Sequence, residues 1–165
     1  MKSCGSCTLC CKVLRVAELD KPAGAWCGHC RKGVGCGVYE TRPGECRTFG
    51  CLWLADPQFP AELKPERSKV VFALEFGGGR VSAYVDPDYP VAWRRPDILA
   101  MLKRMAAVQA GRRGQVIVFV KDRAVAILPD REVDLGVIDQ AGQEIRYSEN
   151  PATGRIDVRV VAPAV

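Results

Sequence analysis

Apolar positions follow two regimes along this chain. From Lys69 onward they fall into strand-length runs and one helical stripe. Lys69–Phe76 reads as a strand, Gly77-Gly78-Gly79 as a turn, and Arg80–Val85 as the returning strand of a hairpin. Asp86-Pro87-Asp88-Tyr89-Pro90 breaks the pattern. Ile98, Met101, Leu102, Met105 and Val108 then recur at helical spacing with Lys103 and Arg104 opposite them. Pro96 suits the first helical position, Asp97 the first turn and Gly111 the stop. Gln115–Val120 and Ala124–Leu128 read as strands around a tight Lys121-Asp122-Arg123 turn. Further strands are predicted at Val133–Ile138, Glu144–Tyr147 and Arg155–Val161, with a turn at Asn150–Gly154 between the last two. The expected architecture is α+β: a mostly antiparallel sheet with one covering helix.

The first third of the chain reads differently. It is glycine-rich and short of helical periodicity, apart from Val13–Leu19, which fits a strand or a short helix, and a turn at Asp20–Gly24. A proline-rich connector follows from Asp56 to Pro65, in which Phe59 and Leu63 are the residues able to pack. The expected organisation is therefore a lobe of loops and short elements over residues 1–55 and a sheet domain over 56–165 packed against it.

At 165 residues with 48% hydrophobic content, the chain can bury a real core. No run approaches the roughly 18 apolar residues of a membrane span. Lys2 is followed at once by cysteines and small residues rather than by a leader-like apolar stretch. These features lead to the expectation of a cytoplasmic protein with no membrane partner, whose thiols stay reduced.

Cysteine is what changes the picture. Cys4, Cys7, Cys10 and Cys11 fall within eight residues; Cys27, Cys30, Cys36, Cys46 and Cys51 follow, and the rest of the chain has none. A packing role would scatter cysteines through the fold, and an odd count of nine argues against a pure disulfide framework. C-x-x-C steps at Cys4/Cys7, Cys7/Cys10 and Cys27/Cys30 let two sulfurs reach one ion from a tight turn. Adjacent side chains tend to point apart, so the Cys10-Cys11 doublet predicts ligation of different ions, or of different atoms of one polynuclear cluster, and hence two or more metal ions. His29, the single histidine, lies inside Cys27-Gly28-His29-Cys30 as a candidate ligand or hydrogen-bond donor to one. Arg42 and Arg47 are candidates for donating to thiolates, and Tyr39, Phe49 and Trp53 for packing around the site.

The opening Cys4-x-x-Cys7-x-x-Cys10-Cys11 and the closing Cys36-Gly37-Val38-Tyr39-Glu40-Thr41-Arg42-Pro43-Gly44-Glu45-Cys46-Arg47-Thr48-Phe49-Gly50-Cys51 together resemble the CxxCxxCC family of zinc- or iron-chelating cysteine-cluster proteins (the YkgJ type). The resemblance covers residues 4–54. It implies metal binding through about eight cysteines and no established activity for most members. A similar cluster in flagellin lysine N-methylases is the one enzymatic association it brings. One cysteine in the middle region completes the family's eight, whereas this chain has both Cys27 and Cys30.

All-sulfur sites suit either zinc or iron–sulfur clusters. In ferredoxins a C-x-x-C-x-x-C run is followed by a three-residue gap and Cys-Pro, whereas here Cys11 and Lys12 follow directly, which favours zinc. The expected cofactor is thus two or more zinc ions, with an iron–sulfur cluster as the alternative. The triple glycine lacks the P-loop Lys-Ser/Thr and a following helix, and the chain has no dinucleotide fingerprint or catalytic triad. A structural or binding role, with an unknown protein partner, is favoured over an iron–sulfur enzyme of redox or methyl-transfer type. Storage or delivery of metal is a third reading. The formal charge of +5 falls to about +1 once eight thiolates hold two divalent ions. Composition therefore argues against nucleic acid as a partner, as does the lack of aromatics interleaved with basic residues.

Overall fold

The structure, a computed structural model, describes residues 2–162, so Met1 and residues 163–165 of the two expected segments lie outside the described residues. The fold is α+β, with a mostly antiparallel five-stranded sheet and one long helix. In chain order the cysteine-rich region holds a short helix α1 (Cys10–Val13), a two-stranded ribbon β1 (Cys30–Arg31) and β2 (Gly35–Cys36), and helices α2 (Gly44–Thr48) and α3 (Leu52–Ala55). Helix α4 (Pro65–Ser68) leads into β3 (Val70–Glu75) and β4 (Arg80–Val85). Helix α5 (Pro96–Ala110) precedes β5 (Gln115–Val120), β6 (Arg123–Ile127) and β7 (Glu132–Val137). The hairpin β8 (Glu144–Glu149) and β9 (Ile156–Val161) closes the described chain.

The large sheet runs β3-β4-β5-β6-β7. The predicted hairpin is present, with Val70 opposite Val85 and Glu75 opposite Arg80 across the glycine turn. β4 and β5 pair in parallel, because α5 carries the chain back across the sheet between them. The remaining pairs are antiparallel. The last hairpin forms its own two-stranded sheet instead of extending the large one.

The two central apolar runs are continuous because both faces of the sheet are covered. On one face Phe72, Val85 and Val118 pack with Ile98, Met101 and Leu102 of α5. Phe59 and Leu63 of the connector and Trp53 of α3 join this core. On the other face Val71, Ile117 and Phe119 meet Leu9 and Val13 of α1 and Ile145 of β8. Helix α5 starts at Pro96 as its sequence requires. Val108, placed on its apolar side by periodicity, is exposed, because it lies on the outward side of the last turn.

Among the described residues no helix is long and apolar enough to cross a membrane. The Val13–Leu19 segment is neither strand nor regular helix. It leaves α1, forms an isolated bridge between Val16 and Lys21, and contains a single 3-10 turn at Ala17–Leu19.

Candidate metal centre

Helix α1 is seated by its own spacing. Leu9 and Val13, four residues apart, fall on one side of the turn and are buried against the sheet. Cys10 and Cys11 therefore project elsewhere, each half-buried. Upstream, Gly5 at φ +52° permits the turn in which the Cys7 amide donates to the Cys4 carbonyl at 2.9 Å.

The later cysteines fold back over this helix. The Cys27 amide donates to the Cys11 carbonyl at 3.0 Å. Cys30 and Cys36 face each other across the β1–β2 ribbon. Helix α2 carries Cys46 and is tied to the 3-10 turn by Glu18 and Glu45. The Glu45 amide donates to Glu18 Oε1 at 3.1 Å, and the Glu18 amide to Glu45 Oε2 at 3.3 Å. A Cβ on Gly44 would lie 3.0 Å from Glu18 Oε1, so a side chain there would push the Glu18 carboxylate aside. Cys51 is held against the sheet by its bridge to Ala73.

These returns bring eight of the nine cysteines to two adjoining cavities. The smaller, about 30 Å³, is lined by Cys4, Cys7, Cys10 and Cys51 together with Trp53 and Leu54. The larger, about 180 Å³, is lined by Cys11, Cys27, Cys36 and Cys46, and shares Cys4, Cys10 and Cys51 with the first. Cys30 lines neither; its thiol lies beside Cys11 and Thr8. All nine cysteines are free thiols. Among the described residues no three His, Cys, Asp or Glu side chains are drawn tightly enough together to hold an ion as they stand. The thiols thus border shared space rather than surround a point.

Burial sets their protonation. It pushes the Cys4, Cys46 and Cys51 thiols above their ordinary value and Cys30 up to about 11. Cys11 is raised first by its contact with the Cys10 thiol and then by burial. The neighbours that raise the thiols couple the two cavities, since Cys11 acts on Cys4 and Cys10 acts on Cys11. Cys4 and Cys7 act on Cys51, whereas Cys11, Cys27 and Cys36 act on Cys46.

Two lysines that the sequence did not single out are built into this region. Lys12, next to Cys11, is buried, and its Nζ donates to Asp86 Oδ1 and Asp88 Oδ2 at 2.6 Å each. This fastens α1 to the turn after β4. Burial alone would lower the Lys12 pKa, but the two carboxylates outweigh it and hold it above the usual lysine range. Lys21 is also buried. Its ammonium donates to the carbonyls of Lys12 (3.2 Å), Pro22 (3.1 Å) and Leu14. Burial lowers its pKa, opposed by the charge of Cys27, Cys11 and Cys46 nearby.

Among the other predicted residues, His29, Tyr39, Arg42 and Phe49 line the larger cavity. The Arg42 guanidinium stacks on Tyr39 at 3.9 Å and, with Lys64, draws the Cys4 pKa downward against burial. Trp53 lines the smaller cavity. Arg47 is exposed on α2 and lines neither. A buried lysine is rare enough that only its non-local acceptors reveal it, and Asp86 lies 74 positions away from Lys12.

No protein-family model, curated protein or solved structure matches this chain.

Proposed function

We propose that this chain is a metal-binding protein whose ions, zinc in preference to iron, serve mainly to hold the N-terminal lobe together. The observation that carries this reading is the division of eight thiols into two sets of four. Cys4, Cys7, Cys10 and Cys51 form one set around the smaller cavity, and Cys11, Cys27, Cys36 and Cys46 are the thiols found only at the larger. Four thiolates are the donor set of a closed structural zinc site. The doublet then serves two ions, Cys10 one and Cys11 the other.

A structural role follows from what the lobe lacks. None of residues 24–52 is buried, and the helices here are four or five residues long. Such a segment cannot offset its conformational entropy by apolar burial. Thiolate–zinc bonds supply that free energy; apparent values for structural zinc in finger peptides are about 10–16 kcal/mol. Lys21 and Arg42 place positive charge against the thiolates that the ions would require.

The test is metal content in serine variants of protein purified without oxygen. Cys7→Ser and Cys27→Ser should each lose one ion of two, and Cys30→Ser should keep both. Equal loss in Cys30→Ser would reject the division. Removing the metal should open residues 24–52 to protease while leaving the sheet intact. Unchanged protease resistance of fully demetallated protein would reject the structural role. Iron with sulfide in place of zinc would favour the redox or methyl-transfer alternative.

A further inference from the structure

Composition spreads the charge evenly, but the fold does not. Residues 94–113 hold six cations (Arg94, Arg95, Lys103, Arg104, Arg112 and Arg113) and one anion, Asp97. That net charge equals the +5 of the whole chain, so the other 18 cations and 18 anions cancel. All six cations are exposed. Lys103 and Arg104 lie in the middle of α5, a 15-residue helix about 22 Å long, with Arg94 and Arg95 just before it and Arg112 and Arg113 in the turn just after it. The opposite side of α5 is buried on the sheet through Ile98, Met101 and Leu102, so the outward side is the one left to a partner. The cysteine lobe packs α1 against the other face of the sheet, so neutralisation of thiolates by metal does not touch this track.

Arg94 is paired with Glu132 at 2.9 Å and Arg95 with Asp97 at 2.7 Å. Among the described residues Lys103, Arg104, Arg112 and Arg113 take part in no ion pair. Four cations without an ion-pair partner, two on α5 and two in the turn after it, are free to meet an extended polyanion. The track's other residues narrow the choice. Between the cations the outward side carries Ala100, Ala107 and Gly111, which let the helix approach a partner closely. Val108 is the single sizeable apolar side chain exposed there. Apart from Val108, this face lacks the aromatic and large apolar anchors typical of protein hot spots and of membrane-inserting helices. A single strand needs aromatic side chains to stack its bases, and α5 contains none. The major groove of B-form DNA admits an α-helix, whereas that of duplex RNA is too deep and narrow. We infer that the outward face of α5 docks the phosphate backbone of double-stranded DNA without reading its sequence.

The inference stands independently of metal binding and is tested on the full-length protein as purified. A labelled 12-base-pair DNA duplex is titrated at several salt concentrations. Four phosphate contacts predict a slope of log K against log salt of about −3.6, or about 150-fold weaker binding between 50 and 200 mM salt. Lys103→Ala/Arg104→Ala, which favours helix, should halve that slope and cut the same salt effect to about 12-fold. Arg155→Ala/Arg159→Ala removes equal charge from exposed positions around β9 and should leave the slope unchanged. No binding at 50 mM salt would overturn the inference. So would equal effects of the two double variants, tighter binding of single-stranded DNA or duplex RNA, or displacement by polyglutamate at equal charge.

Discussion

Replacing Lys12 with methionine is the most informative single perturbation of the packing beneath the cysteines. Methionine keeps most of the stem and removes the ammonium. The Lys12 side chain is 6% exposed and that of Asp86 is 9% exposed. Deleting the cation therefore leaves a buried carboxylate whose charge-assisted bond is gone. Breaking a buried pair in this way costs about 3–5 kcal/mol. Total stability for a domain is about 5–15 kcal/mol, so the loss is a large share. At this chain length it corresponds to a drop of about 6–20 °C in Tm. Urea unfolding followed by circular dichroism reads the change directly. Lys12→Met/Asp86→Asn should recover part of the loss, because asparagine still accepts the Asp88 amide that Asp86 Oδ1 now takes at 3.1 Å. The pH dependence has two limbs. Lys12 has a raised pKa, so its contribution is complete below about pH 10.4 and is lost as pH rises through the higher folded value. Asp88 is held below the ordinary carboxylate range by its bond from Lys12, so its contribution is present above about pH 3.9 and lost as pH falls through the depressed value. A loss under about 1 kcal/mol, or a double variant no better than the two single losses added, would refute the reasoning.

Other outcomes follow from the same geometry. Lys21→Met leaves three carbonyls without their donor and removes a cation beside Cys11, Cys27 and Cys46. It should destabilise by about 1–3 kcal/mol and weaken zinc retention against a competing chelator, whereas Lys21→Arg should restore part of both. Leu102→Ala, at a fully buried position under α5, should cost about 2–5 kcal/mol in urea unfolding without changing the metal content. Cys4, Cys46 and Cys51, raised by burial, and Cys11, raised first by its contact with Cys10, stay protonated at neutral pH, so loading zinc in weak buffer should release at least about four protons per chain. Release near zero would mean that thiols are not the ligands.

Much of the fold was legible because it is locally encoded. The Lys69–Val85 hairpin is announced by its glycine turn, and α5 by Pro96 and the Ile98/Met101/Leu102 spacing. The parallel β4–β5 pair was not, because pairing direction depends on where α5 delivers the chain, which no local pattern states. The clustering of the cysteines was legible in their spacing, but the approach of Cys51 to Cys4 depends on the bridge to Ala73 in a strand 22 positions away. Both Cys27 and Cys30 approach Cys11, the first through a backbone bond and the second through its thiol, a convergence that spacing alone cannot foresee. Nothing in the local sequence marks Lys12 or Lys21 as buried, because acceptors such as Asp86 and the Lys12 carbonyl are brought to them by the fold. Arg47, attractive by its place beside Cys46, faces solvent because α2 turns it away from the cavities.

The central claim is that these thiols are metal ligands. The direct measurement is elemental analysis with a visible absorption spectrum, made on protein purified without oxygen or added metal. Two zinc ions per chain and no visible band are expected. A metal-free protein whose nine thiols all react freely with an alkylating reagent would contradict the claim.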